Sequence, residues 1–230
     1  MRNFVTLAGA ILLGFVLSAR ADLTIVQRVE GAAQNGDVTV KIKGDKERID
    51  AGSQPTRIID GKTGEMTDLM NERKSFVKIS AAQIKAVAES MNQSGKQPSA
   101  SKLTPTGKKE TIDGYETEEY VFETPMFKAS FWVASKYPAA AEILKEMQTP
   151  FLGASKPINM GLPDFTEFKG VPLKTVISVG PNESTTTVVS IKQDPLPASE
   201  FEIPKDFQEL KQPIQSGPQP QENPFSSASP

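Results

Sequence analysis

The side chains most often used for catalysis at neutral pH are missing from this chain: its 230 residues include no Cys and no His. Ser-His-acid and Cys-His nucleophiles are therefore excluded, as are zinc sites built from His and Cys. No side chain has an ordinary pKa near neutrality to act as general base. Two Ser-x-x-Lys spacings occur, Ser75 to Lys78 and Ser99 to Lys102. A serine activated in that way needs both side chains on one face of a helix. The first pair lies in a strand-like alternation and the second in a linker, so both read as chance. Asp113, Glu116, Glu118 and Glu119 are grouped in sequence but lack the Gly-anchored loop of oxygen ligands that calcium needs. They read as the wet face of a strand. No catalytic residue, metal ligand or cofactor is assigned, and the chain reads as a non-enzyme.

The first twenty-one residues have the layout of a secretory signal peptide. Arg2 is followed by an apolar run from Phe4 to Leu17 and by Ala19-Arg20-Ala21, a small-x-small cleavage site. The run is too short for a good membrane anchor. Cleavage near Ala21 yields an exported chain, periplasmic or secreted, that begins at Asp22. The formal charge of −2 becomes −4 when Arg2 and Arg20 leave with the leader. Nucleic-acid binders carry a strongly basic face, so nucleic acid is not a partner. Without Cys, an exported chain must be held by packing alone, and this one is long enough to bury a core.

The elements that could position functional side chains are mostly strands. Val38, Val40 and Ile42 alternate with Thr39, Lys41 and Lys43, the period of a sheet with one wet face. Similar short segments follow at roughly ten-residue spacing through Ile79, which predicts an antiparallel meander. Asn35-Gly36, Gly44-Asp45, Gly61 to Gly64 and Asp113-Gly114 are the expected turns. Ser80 and Gln83 form a capping-box pair ahead of Ile84, Val87, Ala88 and Met91 at helical spacing. Residues 93–107 read as a loop. Strands resume from Lys108, and in Phe127 to Ala134 the side chain of Trp132 points away from that of Phe131. A second helix opens at Tyr137-Pro138, with Ala141, Leu144 and Met147 on its apolar side. Residues 150–169 are apolar but broken by Gly153, Pro157, Gly161 and Pro163. After Gly170 come a hairpin across Gly180-Pro181-Asn182 and a short element, Phe201 to Pro204. Residues 209–230 are Pro-, Gln- and Ser-rich and read as a disordered tail.

The fold class expected is α+β, mainly β. It is one highly curved antiparallel sheet, an unclosed half-barrel, with two or three short helices on its concave face. Residues 22–208 form the domain. Lys41, Lys43, Lys46 and Arg48 fall on one solvent face, where they could meet phosphate headgroups or an acidic partner. Outward Lys also blocks edge-to-edge strand pairing, and that is the preferred reading. The inner apolar residues, taken alone, read as a dry core.

Several stretches resemble a bacterial domain family of unknown function in the lipoprotein-carrier (LolA/LolB-like) superfamily. They are Val38 to Asp50, Ile58 to Gly64, Gly114 to Tyr120, Phe131 to Ala134, Gly170 to Leu173 and Phe201 to Phe207. The motifs are turn and strand patterns, and their order along the chain carries the resemblance. It implies a half-barrel around a hydrophobic cavity that holds acyl chains. On that reading Val38, Val40, Ile42, Phe76 and Phe131 line the cavity with Ile84 and Met91 of the first helix. Met160 and Phe165 belong to a lid hinged at Gly153 and Gly161. The expected partner is a lipid or acyl chain, free or on a lipoprotein, with an envelope protein at the tail as a candidate second partner. The alternative is an envelope structural or interaction module with a filled interior and no ligand.

Overall fold

Period-two alternation dominates the chain, and it folds accordingly into one curved, unclosed sheet of twelve strands. The computed structural model describes residues 22–31, 35–52, 54–93, 102–124, 127–151 and 163–210, without the side chains of residues 90–93 and 151. The expected leader, most of the segment expected to act as a lid and most of the expected tail lie outside the described residues.

Strands β1 (Leu23–Gly31), β2 (Asn35–Lys43), β3 (Lys46–Asp50), β4 (Thr56–Asp60), β5 (Glu65–Met70) and β6 (Ser75–Ile79) form one meander. Helix α1 (Ala81–Gln93) follows. A second meander contains β7 (Thr104–Ile112), β8 (Tyr115–Glu123), β9 (Lys128–Ala134), β10 (Val171–Val179) and β11 (Asn182–Lys192), with α2 (Ala140–Gln148) between β9 and β10. The two meanders join where β11 pairs antiparallel with β1. The order across the sheet is β12-β6-β5-β4-β3-β2-β1-β11-β10-β9-β8-β7. The short β12 (Gln208–Glu209) pairs with β6 in parallel, against the expectation of an all-antiparallel sheet.

Other details differ from the sequence reading. Asn35 and Gly36 are not a turn but the start of β2, paired with Glu30 and Val29. Strand β7 begins at Thr104 inside the expected loop, because a bulge between Pro105 and Lys109 hides its alternation. That bulge, the Pro and the exposed Lys108 and Lys109 protect this free edge from pairing with another chain. Helix α2 buries Ile143 and Leu144, while Ala141 is exposed.

Register assigns the two faces. Residues directly opposite in neighbouring strands share a face. Leu23, Ile42, Glu47, Ile59 and Met66 therefore form one row, and Ile25, Val40 and Ile49 lie in the next. Across β11, β10 and β9 the same face carries Ile191, Val188, Ile177 and Phe131. Helix α2 lies on this concave face. Its Ile143 packs into a cluster with Leu23, Ile25 and Ile42, and its Leu144 into one with Tyr120, Phe122 and Phe131.

Helix α1 is less committed. Ser80 and Gln83 do form the capping box: the Ser80 amide donates to Gln83 Oε1 at 2.8 Å and the Gln83 amide to Ser80 Oγ at 3.3 Å. Ile84 and Ala88 are only partly buried and Val87 is 53% exposed, so the apolar stripe does not seal onto the sheet. Because packing contributes little here, local terms decide. Ser80→Ala should destabilise α1 by about 1 kcal/mol. Faster amide exchange across residues 84–89 with an unchanged global unfolding midpoint would show this, and unchanged exchange would refute it.

The opposite face of β2 to β6 is also covered. Residues 197–210 cross it as a strap. Phe201 is buried, and Ile203 and Phe207 pack on Ile58, Leu69 and Phe76.

Candidate functional site

The concave face gathers most, not all, of the residues proposed to line a cavity. Val38, Ile42 and Phe131 are buried there, and Val40 is partly buried. Phe165 sits in a short 3-10 turn, Phe165–Glu167, and is partly buried against the Phe131 cluster. Phe131 meets Phe168 edge-on at 5.1 Å, and Phe168 is 6.0 Å from Phe165. The Phe165 amide donates to Gln148 Oε1 at 2.9 Å, tying this turn to α2.

Phe76 is placed elsewhere. It pairs with Leu69 on the face opposite Ile42 and lies beneath the strap. The reason is that β6 is apolar on both sides, since Phe76 is covered by the strap while Val77 lies on the concave face. Ile84, on α1, belongs to none of the three buried clusters found among the described residues. The side chain of Met91, and all of Met160, lie outside the described residues.

The four basic residues share a face as expected, but Lys41 and Arg48 dock the strap, Lys43 pairs with Asp22, and only Lys46 is left exposed. Lys41 Nζ is 2.9 Å from Glu200 Oε2, and Arg48 donates to the Glu200 carbonyl at 2.9 Å. Arg48 also forks onto both Asp50 oxygens at 2.8 and 2.9 Å, and Thr56 donates to Asp50 at 2.7 Å. Burial pushes Asp50 up, yet the hydrogen bonds from Arg48 and Thr56 outweigh it and hold its carboxylate below the usual range. Lys43 Nζ is 2.6 Å from Asp22 Oδ2, which also accepts from the Leu196 amide at 2.7 Å. Lys46 is exposed at a shallow groove of about 260 Å³ beside Phe201 and Ile203.

The polar groups that the sequence reads as chance spacings or a wet strand face do not converge among the described residues. Ser75 and Lys78 lie three apart in β6, hence on opposite faces, and Lys78 pairs with Glu65. Ser99 lies outside the described residues. Glu116 pairs with Lys109, and Glu118 accepts from the Tyr120 hydroxyl. Burial pushes Glu119 up, but hydrogen bonds from Thr106, Lys108 and Ser130 outweigh it and lower its pKa. Among the described residues no three His, Cys, Asp or Glu side chains gather where a metal could sit.

Two features were missed in the sequence. On the convex side of β9 to β11 is a depression of about 530 Å³ lined by Lys128, Ser130, Trp132, Lys174 and Glu183 among others. Lys174 Nζ stands 4.4 Å over the Trp132 ring and 3.0 Å from Glu110, so its own groups already occupy the aromatic surface. The other is Glu47, 5% exposed in the row Leu23–Ile42–Glu47–Ile59–Met66, where the other four are all apolar. Its Oε2 has no hydrogen-bond partner. Burial alone pushes its carboxyl up to about 7. The signal was present in the sequence: Glu47 is in phase with Ile49 and out of phase with Lys46 and Arg48.

Several solved structures share features of the fold at low sequence identity. PNGF-II is 14% identical with a TM-score of 0.44, over 84% of this chain and 32% of that one. The chain thus spans about a third of the length of PNGF-II. The Mycobacterium tuberculosis lipoprotein LppX is 11% identical, TM-score 0.40, over 77% of this chain and 88% of that one. LprF from Mycobacterium bovis is 10% identical, TM-score 0.34, over 81% and 90% respectively. No curated protein matches the sequence. Residues 23–207 match a family model described as Domain of unknown function (DUF4412). That match takes in every strand from β1 to β11, and the chain belongs to the DUF4412 family.

Proposed function

We propose that this protein is a non-enzymatic, exported binder of a hydrophobic ligand, a lipid or an acyl chain, with a lipoprotein-carrier-like fold. The observation that carries the reading is the state of the concave face. Between the rows sealed by α2, an apolar series remains only partly covered: Val29, Val40, Ile49, Ile177, Val188 and Ile191. A monomer gains by burying such a series, and a chain laid along it is stabilised by about 0.8 kcal/mol per methylene. Selectivity would follow chain length and the extent of the uncovered rows. Phe165 and Phe168, held to α2 through Gln148, form one wall.

Native mass spectrometry of the mature protein from a membrane-containing preparation tests this. A stoichiometric acyl adduct is expected, and Val40→Glu, at a partly exposed position that should tolerate the change, should lose it while keeping the native circular dichroism spectrum. A clean apo mass, with no uptake of fatty acids, fatty alcohols or phospholipids, overturns the reading in favour of an interaction module with a filled interior.

A further inference from the structure

The geometry points to Glu47 as the polar anchor of the concave face, a carboxyl that takes the hydrogen-bond-donating end of an amphiphile, a hydroxyl or an amine. This rests on the ligand-binding reading above and adds the chemistry of the ligand's head.

The position demands an explanation. Strand β3 alternates Lys46, Glu47, Arg48, Ile49, and the alternation turns Glu47 inward with Ile49. Its cross-strand neighbours are Ile42 on β2 and Ile59 on β4, each 2% exposed. An aliphatic residue there would leave no buried polar atom unpaired. A buried carboxyl with an unpaired oxygen is destabilising. The charged residues elsewhere on this face are already engaged: Arg57 forks onto Asp68 at 2.7 and 2.9 Å. Burial is the cause of the rise in the Glu47 pKa.

Its surroundings say where a ligand would lie. On one side the exit of α2 closes the face. Gly61, in the turn after β4, has room for no side chain because the Pro150 carbonyl would stand 2.9 Å from a Cβ there. On the other side the next row, Val40 and Ile49, is only partly buried. Glu47 therefore sits at the border between the closed and the uncovered parts of the apolar face. A chain lying on Val40 and Ile49 brings its head to this carboxyl.

The carboxyl then sets the head group. At pH 8, above a carboxyl pKa of about 7, its oxygens accept from a hydroxyl and form a charge-assisted pair with an ammonium. Protonated at lower pH, it also donates one O–H, which a hydroxyl matches in both senses. A fatty-acid carboxylate or a phosphate brings a second anion to an apolar site and is disfavoured.

Equilibrium binding of tetradecanol, tetradecylamine and myristate to the mature protein at pH 8 tests this, with Glu47→Leu as the variant. An aliphatic side chain suits the row, so the variant should fold. Wild type should prefer tetradecanol or tetradecylamine to myristate by about tenfold, the worth of one buried hydrogen bond, and Glu47→Leu should bind all three about equally. If the alcohol alone is preferred the head is a neutral hydroxyl, and if the amine alone, a cation; either supports the anchor. An equal or reversed preference in wild type, or a preference that survives in Glu47→Leu, overturns the anchor while leaving acyl binding intact. If none of the three binds wild type, the acyl-binding reading fails and the anchor fails with it.

Discussion

Phe201→Ala should cost about 3 kcal/mol, the usual price of truncating a buried Phe, read as a shift in denaturant midpoint at constant slope. Phe201 is 4% exposed although it lies far from the rest of the core in sequence. It ends the 3-10 turn Ala198–Phe201, whose Glu200 is gripped by Lys41 and Arg48. Beyond it Ile203 and Phe207 cover Ile58, Leu69 and Phe76, and the Gln208 and Leu210 amides donate to Lys74 and Phe76 carbonyls at 2.9 and 2.8 Å. The strap thus seals an apolar surface and also pairs with β6, the strand that would otherwise be the sheet's edge. A chain ending at Leu196 leaves both bare. It should not be recovered as a soluble monomer, because an unpaired strand beside exposed apolar residues is a template for aggregation. The ion pair Lys74–Asp206, at 2.8 Å, is a control: both side chains are more than half exposed, and Lys74→Ala should leave stability unchanged. A stable, monomeric protein ending at Leu196 would show the strap to be an accessory.

The strap also marks where sequence reading stopped. Alternation in Val38 to Lys43, the Gly44-Asp45 and Asp113-Gly114 turns and the Ser80–Gln83 box were legible because each is a local rule with a local outcome. So was the opposed pointing of Phe131 and Trp132. Phe76 was not, because β6 is apolar on both sides and only a segment over a hundred residues later decides which side covers it. The basic residues were legible as one face but not as a docking surface, for the same reason: Glu200 is too far along the chain for any local pattern to reveal. Ile143 was missed in α2 because reading Ala141, Leu144 and Met147 as the stripe rotates the helix by about one residue. Glu47 was lost to a different prior, that charged side chains face water. The strand's own alternation argues otherwise.

Glu47 should also leave a signature in the pH dependence of stability that needs no ligand. Its cross-strand neighbours are Ile42 and Ile59, and Pro150, just past α2, packs on Gly61 in the turn after β4. The other charged groups on the concave side, Arg57 and Asp68 on β4 and β5 and Glu146 on α2, do not contribute to its shift. With a carboxyl pushed from 4.5 up to about 7 by burial, the folded state holds a proton that the unfolded state releases. Below the lower value both states are protonated and the residue exacts no electrostatic cost. Between the two values the unfolded chain ionises first, so stability attributable to Glu47 falls as pH rises. Above about 7 both are ionised and the full penalty stands, about 3 kcal/mol for a shift of this size. Asp50 and Glu119 run the other way, their depressed values stabilising the fold at higher pH and losing that contribution as it falls. The raw profile of the wild type therefore mixes both signs. The difference between wild type and Glu47→Gln removes the common part, since the amide is neutral throughout. Relative to wild type, Glu47→Gln should gain about 3 kcal/mol in unfolding free energy between pH 4 and pH 8, with the change centred between the two pKa values. A flat difference across that range would mean that the Glu47 carboxylate is solvated in the folded protein, and both its burial and its role as an anchor would have to be given up.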